Sequence, residues 1–519
     1  MPGIVADAAA SYGDRTAIRQ GDVEISFTEL DRIRRRSAAA FVAAGLKHGD
    51  RIAIWAPNIF EWIFAATGAQ SLGIVLVPIN TRWKGPEVAY ALNLAQVKLL
   101  FTVGGFLGQD YPAMLAQESL PHLQRTVLLR QDAEAPDGDA AIEGGWNEFL
   151  AAGVDISDAE IDALAEKVSP EDVLDIGFTS GTTGNPKGVV TSHGQNIRVF
   201  ETWSGTVGLR DDDNYLIINP FFHAFGYKAG WMSAIIRGAL ILPVLNFDLD
   251  AVMAQIAEDR VTMLPGAPTI YHSLLAHPGR ENFDLSSLRL AVTGAAPVPV
   301  ELVNRMRNEL GFEVVVTAYG LTESCGTVTI CRPDDPAEII SGTSGKAMEG
   351  VDVRLVNAEG ADVPTGEPGE IWVRGYNVMR GYLDNPEATA DTITEDGWLK
   401  TGDVGVMDGD GYVRITDRIK DMFIVGGFNC YPAEIENQLC SHGSVAQAAV
   451  VGMPDERMGE VACAFVVPRP GESVDANALI SWCRDNMANY KVPRAIHVVD
   501  SLPVNASGKV LKTELRARL

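Results

Sequence analysis

At 519 residues the chain exceeds what one ordinary hydrophobic core supports, so two or more domains are expected. Hydrophobic residues at 46% and charged residues at 21% describe a well-buried globular protein. A formal charge of −26 argues against nucleic acid, whose phosphate backbone needs a basic face, and requires any anionic small molecule to be met by local Lys or Arg, a helix N-terminus or a divalent cation.

Met1 to Arg15 shows no basic start followed by an apolar run, so no secretory signal is expected. A helix is predicted over Asp31 to Leu46, and Arg32, Arg34, Arg35 and Arg36 read as its wet face. Strands follow at Arg51 to Trp55 and Gly73 to Val77, with a helix at Glu61 to Leu72 between them. Glu61, Gln70 and Pro78 interrupt the apolar stretch Ile59 to Ile79, which reads as a buried helix and a buried strand and not as a membrane span. The βαβ rhythm returns from Val173 to about Tyr319 and predicts largely parallel sheets covered on both faces. After Gly350 alternating segments such as Val351 to Val356 and Gly369 to Arg374 predict antiparallel strands and a small β-barrel. A helix at Pro432 to Cys440, strands at Ala448 to Val451 and Ala462 to Val467 and a helix at Asn477 to Met487 predict a small α+β domain. The division expected is 1–418 and 419–519.

The segment with the most chemistry is Thr179-Ser180-Gly181-Thr182-Thr183-Gly184-Asn185-Pro186-Lys187-Gly188, which follows the apolar strand Val173 to Phe178. Its glycines let backbone N–H groups turn toward an anion, its hydroxyls add donors, and Lys187 adds charge. The GxxxxGK[ST] spacing fails, so it is no Walker A loop. Asp408-Gly409-Asp410-Gly411 hints at a calcium loop, but Tyr412 takes the position where Asp or Asn is wanted, and a hairpin turn is expected. The histidines show no metal-ligand spacing, and Cys325, Cys331, Cys430, Cys440, Cys463 and Cys483 form no CxxC, which suits a reducing cytoplasm.

The glycine- and hydroxyl-rich segment resembles the signature of the adenylate-forming superfamily, which includes acyl- and aryl-CoA synthetases, firefly luciferase and the adenylation domains of peptide synthetases. Further blocks stand in the family's order: Phe221-Phe222-His223, Tyr319-Gly320-Leu321-Thr322-Glu323, Thr401-Gly402-Asp403, Asp417-Arg418-Ile419-Lys420, Gly426-Gly427-Phe428 and Asn505-Ala506-Ser507-Gly508-Lys509. The resemblance covers essentially the whole chain. It implies a large domain of two doubly covered sheets plus the barrel, and a mobile C-terminal lid hinged near Lys420.

Carried over residue by residue, the resemblance makes Glu323 the Mg²⁺ ligand and Tyr319 the residue stacked on adenine. Gly320 and Thr322 lie beside them, and Gly294, Ala295 and Ala296 form the adenine-pocket backbone. Asp403, expected in a turn, and Arg418 hold the ribose. Thr179 to Gly184 and Lys187 hold phosphate. Lys509 reaches the acid carboxylate and α-phosphate, Gly426, Gly427 and Phe428 flank the pantetheine path, and His223 gates the thiol. ATP, Mg²⁺ and coenzyme A are the implied cofactors, and a homodimer is left open.

The acyl pocket candidates are His223, Tyr227, Lys228, Trp231, Pro265, Gly266, Thr293 and Gly294. Phe222-His223-Ala224-Phe225-Gly226 offers no Asp for a substrate ammonium, so an unsubstituted carboxylic acid is favoured over an amino acid. Lys228 reads either as a partner for a substrate carbonyl or coenzyme phosphate, or as a snorkelling surface lysine. Asn219 to Gly230 with Leu264 to Tyr271 resembles actinobacterial ligases that activate the indane-propanoate remnant of steroid rings. Fatty acyl-CoA, fatty acyl-AMP and aryl-CoA ligases are the alternatives, beside a carrier-loading enzyme and a catalytically dead acyl-binding homologue.

Overall fold

The computed structural model describes residues 1–133, 144–179, 186–294, 298–418, 421–425, 428–455, 457–487, 489–504 and 510–519, without the side chains of Asp417, Arg418, Ile424, Phe428 and Asn429. The first long helix, Phe27–Ala43, begins earlier than its apolar periodicity suggests because Ser26 caps it, its hydroxyl accepting the Glu29 N–H at 3.1 Å. Arg34 departs from the expected wet face. It is 1% exposed, and donates to Asp31 at 2.7 Å and to Ser71 at 3.1 Å. Arg32 and Arg36 do face water. A run of arginines is therefore split by the helical period between solvent and interior.

The next helix, Phe60–Gln70, is buried on all sides from Glu61 onward. Its carboxylate survives there because Arg130 grips both oxygens, at 2.8 and 2.9 Å. Gln70 donates to the Tyr227 hydroxyl at 2.5 Å. The polar residues that interrupt this apolar stretch are thus internal contacts.

An eight-stranded sheet runs Gly381–Tyr382, Gly188–Ser192, Val173–Phe178, Val75–Pro78, Arg51–Trp55 and Leu99–Phe106, with Gln109–Asp110 and Arg125–Asp132 both paired to the last. A second layer orders Asn214–Ile217, Leu240–Pro243, Thr16–Gln20 and Val23–Ser26. Isolated bridges of Met263 to Tyr215 and Leu290 join it to Leu290–Thr293 and Val314–Tyr319. Parallel pairing brings the carboxyl ends of several of these strands, at Ile217, Gly266, Thr293 and Tyr319, to one edge of the layer. In open α/β sheets such an edge is where ligands bind.

After Gly350 the predicted antiparallel strands form a four-stranded sheet, Val351–Val356, Gly369–Gly375, Leu399–Met407 and Val413–Arg418. The last part holds Phe423–Val425, Phe428–Cys430, Val445–Asp455, Gly459–Pro468 and Ala495–Val498 in a five-stranded sheet. Helices Pro432–Cys440 and Ala476–Asn486 match their predicted places closely. One large core gathers residues from Met1 to Val413, and two smaller cores gather residues from Phe423 to Leu515.

Glu61→Gln replaces the carboxylate that Arg130 grips through both oxygens with a neutral amide in the interior. The expected loss is about 3–5 kcal/mol, read as a lower urea midpoint with an unchanged m-value.

Candidate active site

The apolar strand Val173–Phe178 and its hairpin partner Gly188–Ser192 hold the two ends of the glycine- and hydroxyl-rich segment together. Phe178 pairs with Gly188, and the Thr179 N–H donates to the Lys187 carbonyl at 3.0 Å. Ser180, Gly181, Thr182, Thr183 and Gly184 lie outside the described residues. Thr179 and Lys187 therefore mark the mouth of the loop.

Gly177 sets what faces this mouth. A Cβ there would stand 3.1 Å from the Thr322 methyl, so the strand packs tightly on the turn that carries Glu323. That turn, Thr322–Ser324, folds back on itself: a Cβ on Gly320 would come 2.2 Å from the Gly326 carbonyl, which only glycine allows. Glu323 accepts a hydrogen bond on Oε1 from the Tyr382 hydroxyl at 2.8 Å. The Lys187 ammonium stands 4.6 Å from the centroid of the same Tyr382 ring.

Tyr319 ends its strand and donates its hydroxyl to Asp403 Oδ2 at 2.6 Å. Asp403 does not sit in the expected turn. It lies inside the strand Leu399–Met407, after Gly402 at φ 71°, and pairs in register with Arg418. The left-handed glycine supplies the irregularity that the sequence pattern suggested as a turn. Asp403 is 4% exposed, so strand register and not loop geometry aims its carboxylate.

The turn that carries His223 meets the Glu323 turn at Gly326, where a Cβ would lie 3.1 Å from the Ala224 methyl. The adjacent His223 keeps exposed surface although neighbouring protein crowds its ring. That crowding lowers its pKa, and the ring is neutral near pH 7. Its Nδ1 accepts the Phe225 N–H at 3.2 Å, so the proton resides on Nε2. Thr293 is buried with no partner for its hydroxyl among the described residues, Gly266 bridges to it, and Gly294 lies in ordinary contact with Ala318.

Lys228 departs most from expectation. It is no surface lysine: its ammonium is buried, lies 3.0 Å from Asp175 Oδ2, and donates to Thr191 at 3.3 Å. With its charge met internally, it is not an open cation for a ligand. Tyr227 and Trp231 stack at 4.9 Å and both pack on Trp62 inside the core. These three pocket candidates back the acyl-side wall from within.

Residues 5–383 match the family described as AMP-binding enzyme, and residues 434–509 match the AMP-binding enzyme C-terminal domain. The chain belongs to the AMP-binding enzyme family. This AMP-binding enzyme is 48% identical over 517 residues to the 3-[(3aS,4S,7aS)-7a-methyl-1,5-dioxo-octahydro-1H-inden-4-yl]propanoyl:CoA ligase of Rhodococcus jostii, covering 99% of this chain and 98% of that one. The Mycobacterium tuberculosis ligase of the same name is 47% identical over 503 residues, covering 97% of this chain and 96% of its own. Among solved structures, ATP-bound MatB from Rhodopseudomonas palustris superposes with a TM-score of 0.86 at 28% identity, covering 100% of this chain and 98% of the other. An anthranilate CoA ligase bound to anthranoyl-AMP superposes with a TM-score of 0.85 at 28% identity, covering 100% and 96%.

As a family member the enzyme is an adenylate-forming ligase that draws on ATP, Mg²⁺ and coenzyme A. The donor set fits such a metal: among the described residues no three His, Cys, Asp or Glu side chains gather to cage an ion, while Glu323 offers a single carboxylate. Mg²⁺ suits that arrangement, since it takes one or two carboxylates and completes its shell with phosphate oxygens and water. No helix among the described residues is long and apolar enough to cross a membrane.

Ala295, Ala296, Lys420, Gly426, Gly427 and Lys509 lie outside the described residues, as do the side chains of Arg418 and Phe428. Two residues of the cluster escaped the sequence reading. Asp175 carried a usable signal, a charge inside an apolar strand, which demands a buried partner. Tyr382 carried none, because its neighbours come from distant strands.

Asp175→Leu strands the Lys228 charge in the interior and is expected to cost about 3–5 kcal/mol, whereas adding Lys228→Met to it should recover most of that loss. Urea titration of the wild type, single and double variants reads the difference as a double-mutant cycle.

Proposed function

We propose that this enzyme activates a bulky alicyclic acid of the indane-propanoate class and transfers the acyl group to coenzyme A. The single supporting observation is near-half identity, over nearly the full length, to two ligases named for that acid.

In the first half-reaction the acid carboxylate attacks the α-phosphorus of ATP and pyrophosphate leaves. Two anions must meet on a chain of net charge −26, so the task is positioning and local neutralisation. Thr179, Ser180, Gly181, Thr182, Thr183, Gly184 and Lys187 receive phosphate, Glu323 holds Mg²⁺, and Lys509 supplies an ammonium. Tyr319 stacks on adenine between Gly320, Thr322 and the Gly294, Ala295 and Ala296 backbone, while Asp403 and Arg418 hold the ribose. Bound Mg²⁺ contributes charge neutralisation on the phosphates.

In the second half-reaction the coenzyme A thiol attacks the acyl carbonyl and AMP leaves. The separate cores of the large and small parts suit a rigid-body swing about Lys420, which would bring Gly426, Gly427 and Phe428 to the pantetheine path. Neutral His223, at the junction of the acyl-side turn and the Glu323 turn, serves as the gate. Six free cysteines agree with a cytoplasmic location.

A panel of acids assayed by AMP release tests the substrate. The indane-propanoate dione should exceed straight-chain and aryl acids in kcat/KM by at least tenfold, and a preference for dodecanoate or ferulate would refute the assignment. Lys509→Ala should lower adenylate formation by about 10²–10³, as removal of one preorganised donor does elsewhere, yet leave thioester formation from supplied acyl-adenylate near wild type. Equal loss in both assays contradicts the division of labour.

A further inference from the structure

Tyr382 has no place in the reaction scheme, yet it touches both charged groups that frame the mouth of the phosphate loop. Its hydroxyl donates to Glu323 Oε1 at 2.8 Å, and its ring lies under the Lys187 ammonium at 4.6 Å. The segment around it is stitched to both sides. The Met379 N–H donates to the Glu323 carbonyl at 2.8 Å, and the Leu383 N–H donates to the Gly188 carbonyl at 2.7 Å. Between these contacts Gly381 and Tyr382 pair with Val190 and Val189, on the strand that leaves the loop.

Opposite charges on facing edges of one opening are drawn to pair with each other. A direct Lys187–Glu323 contact would cancel a phosphate ligand against a metal ligand and close the site. A phenol is suited to prevent this, because its π-face receives the cation while its edge hydroxyl engages the anion.

We propose that Tyr382 is a positioning residue that spaces Glu323 from Lys187, leaving the carboxylate free for Mg²⁺ and the ammonium free for ATP phosphate. The proposal rests on the roles given to Glu323 and Lys187 under Proposed function, and it assigns Tyr382 no contact with the reacting atoms.

Tyr382→Phe separates the two contacts, since the ring stays under Lys187 while the bond to Glu323 is lost. The Mg²⁺ concentration for half-maximal ATP–pyrophosphate exchange should rise about tenfold, the scale of a hydrogen bond to a charged group, with KM for the acid unchanged. Calorimetry should show weaker binding of ATP in the presence of Mg²⁺ but unaltered binding in EDTA. Tyr382→Leu removes both contacts, and ATP binding should weaken in EDTA as well. The proposal is overturned if Tyr382→Phe matches wild type in Mg²⁺ dependence. It is equally overturned if ATP binding with and without Mg²⁺ falls by the same factor alongside a lower Tm, the mark of a structural role. Failure of the wild type itself to bind ATP with Mg²⁺ or to exchange pyrophosphate would instead refute the underlying function.

Discussion

The close approach of the strand Val173–Phe178 to the turn Thr322–Ser324 is the constraint on which the site depends. Gly177 permits it on one side, and the collapse of Gly320 onto Gly326 permits it on the other. A larger residue at any of these points would separate the loop mouth at Thr179 and Lys187 from the carboxylate of Glu323. Parallel pairing supplies the rest, because it sends successive strand ends to one edge where short turns can meet. Gly326 then carries the contact on to Ala224 and the His223 turn, so the Glu323 turn and the His223 turn share one packing arrangement.

Charge is managed by pairing inside a molecule whose net balance opposes its anionic ligands. Glu61 with Arg130, Asp31 with Arg34 and Asp175 with Lys228 are buried pairs. Such pairs add little net stability over apolar replacements but strongly penalise any packing that separates them. The Asp175–Lys228 pair ties the strand leading into the glycine- and hydroxyl-rich segment to the helical segment Tyr227–Met232. Its position makes relative displacement of those two segments costly. Lys187, by contrast, remains exposed at the mouth and rests on an aromatic face, which keeps it available.

The chain also divides its hydrophobic interior. Among the described residues one core ends at Val413, and beyond it two smaller ones, starting at Phe423 and at Ala449, both draw residues from the strands Val445–Asp455 and Gly459–Pro468. Separate cores are what units that pack around their own apolar interiors show.

Periodicity by itself determined the element order, the change from parallel to antiparallel texture after Gly350 and the loop chemistry after Phe178, whereas Glu323, Asp403 and Lys509 stood out only through a resemblance to a family. These are local properties: strand alternation, caps, and the glycine and hydroxyl content of a loop act within a few residues. Tertiary structure alone decided that Arg34 and Lys228 are interior, that Asp403 is aimed by strand register, and that Tyr382 joins Lys187 to Glu323. The physical reason is that a side chain's burial and charge partner depend on contacts up to hundreds of residues away along the chain. A pattern read in short windows shows that a charge needs a partner, but only packing shows which one it has.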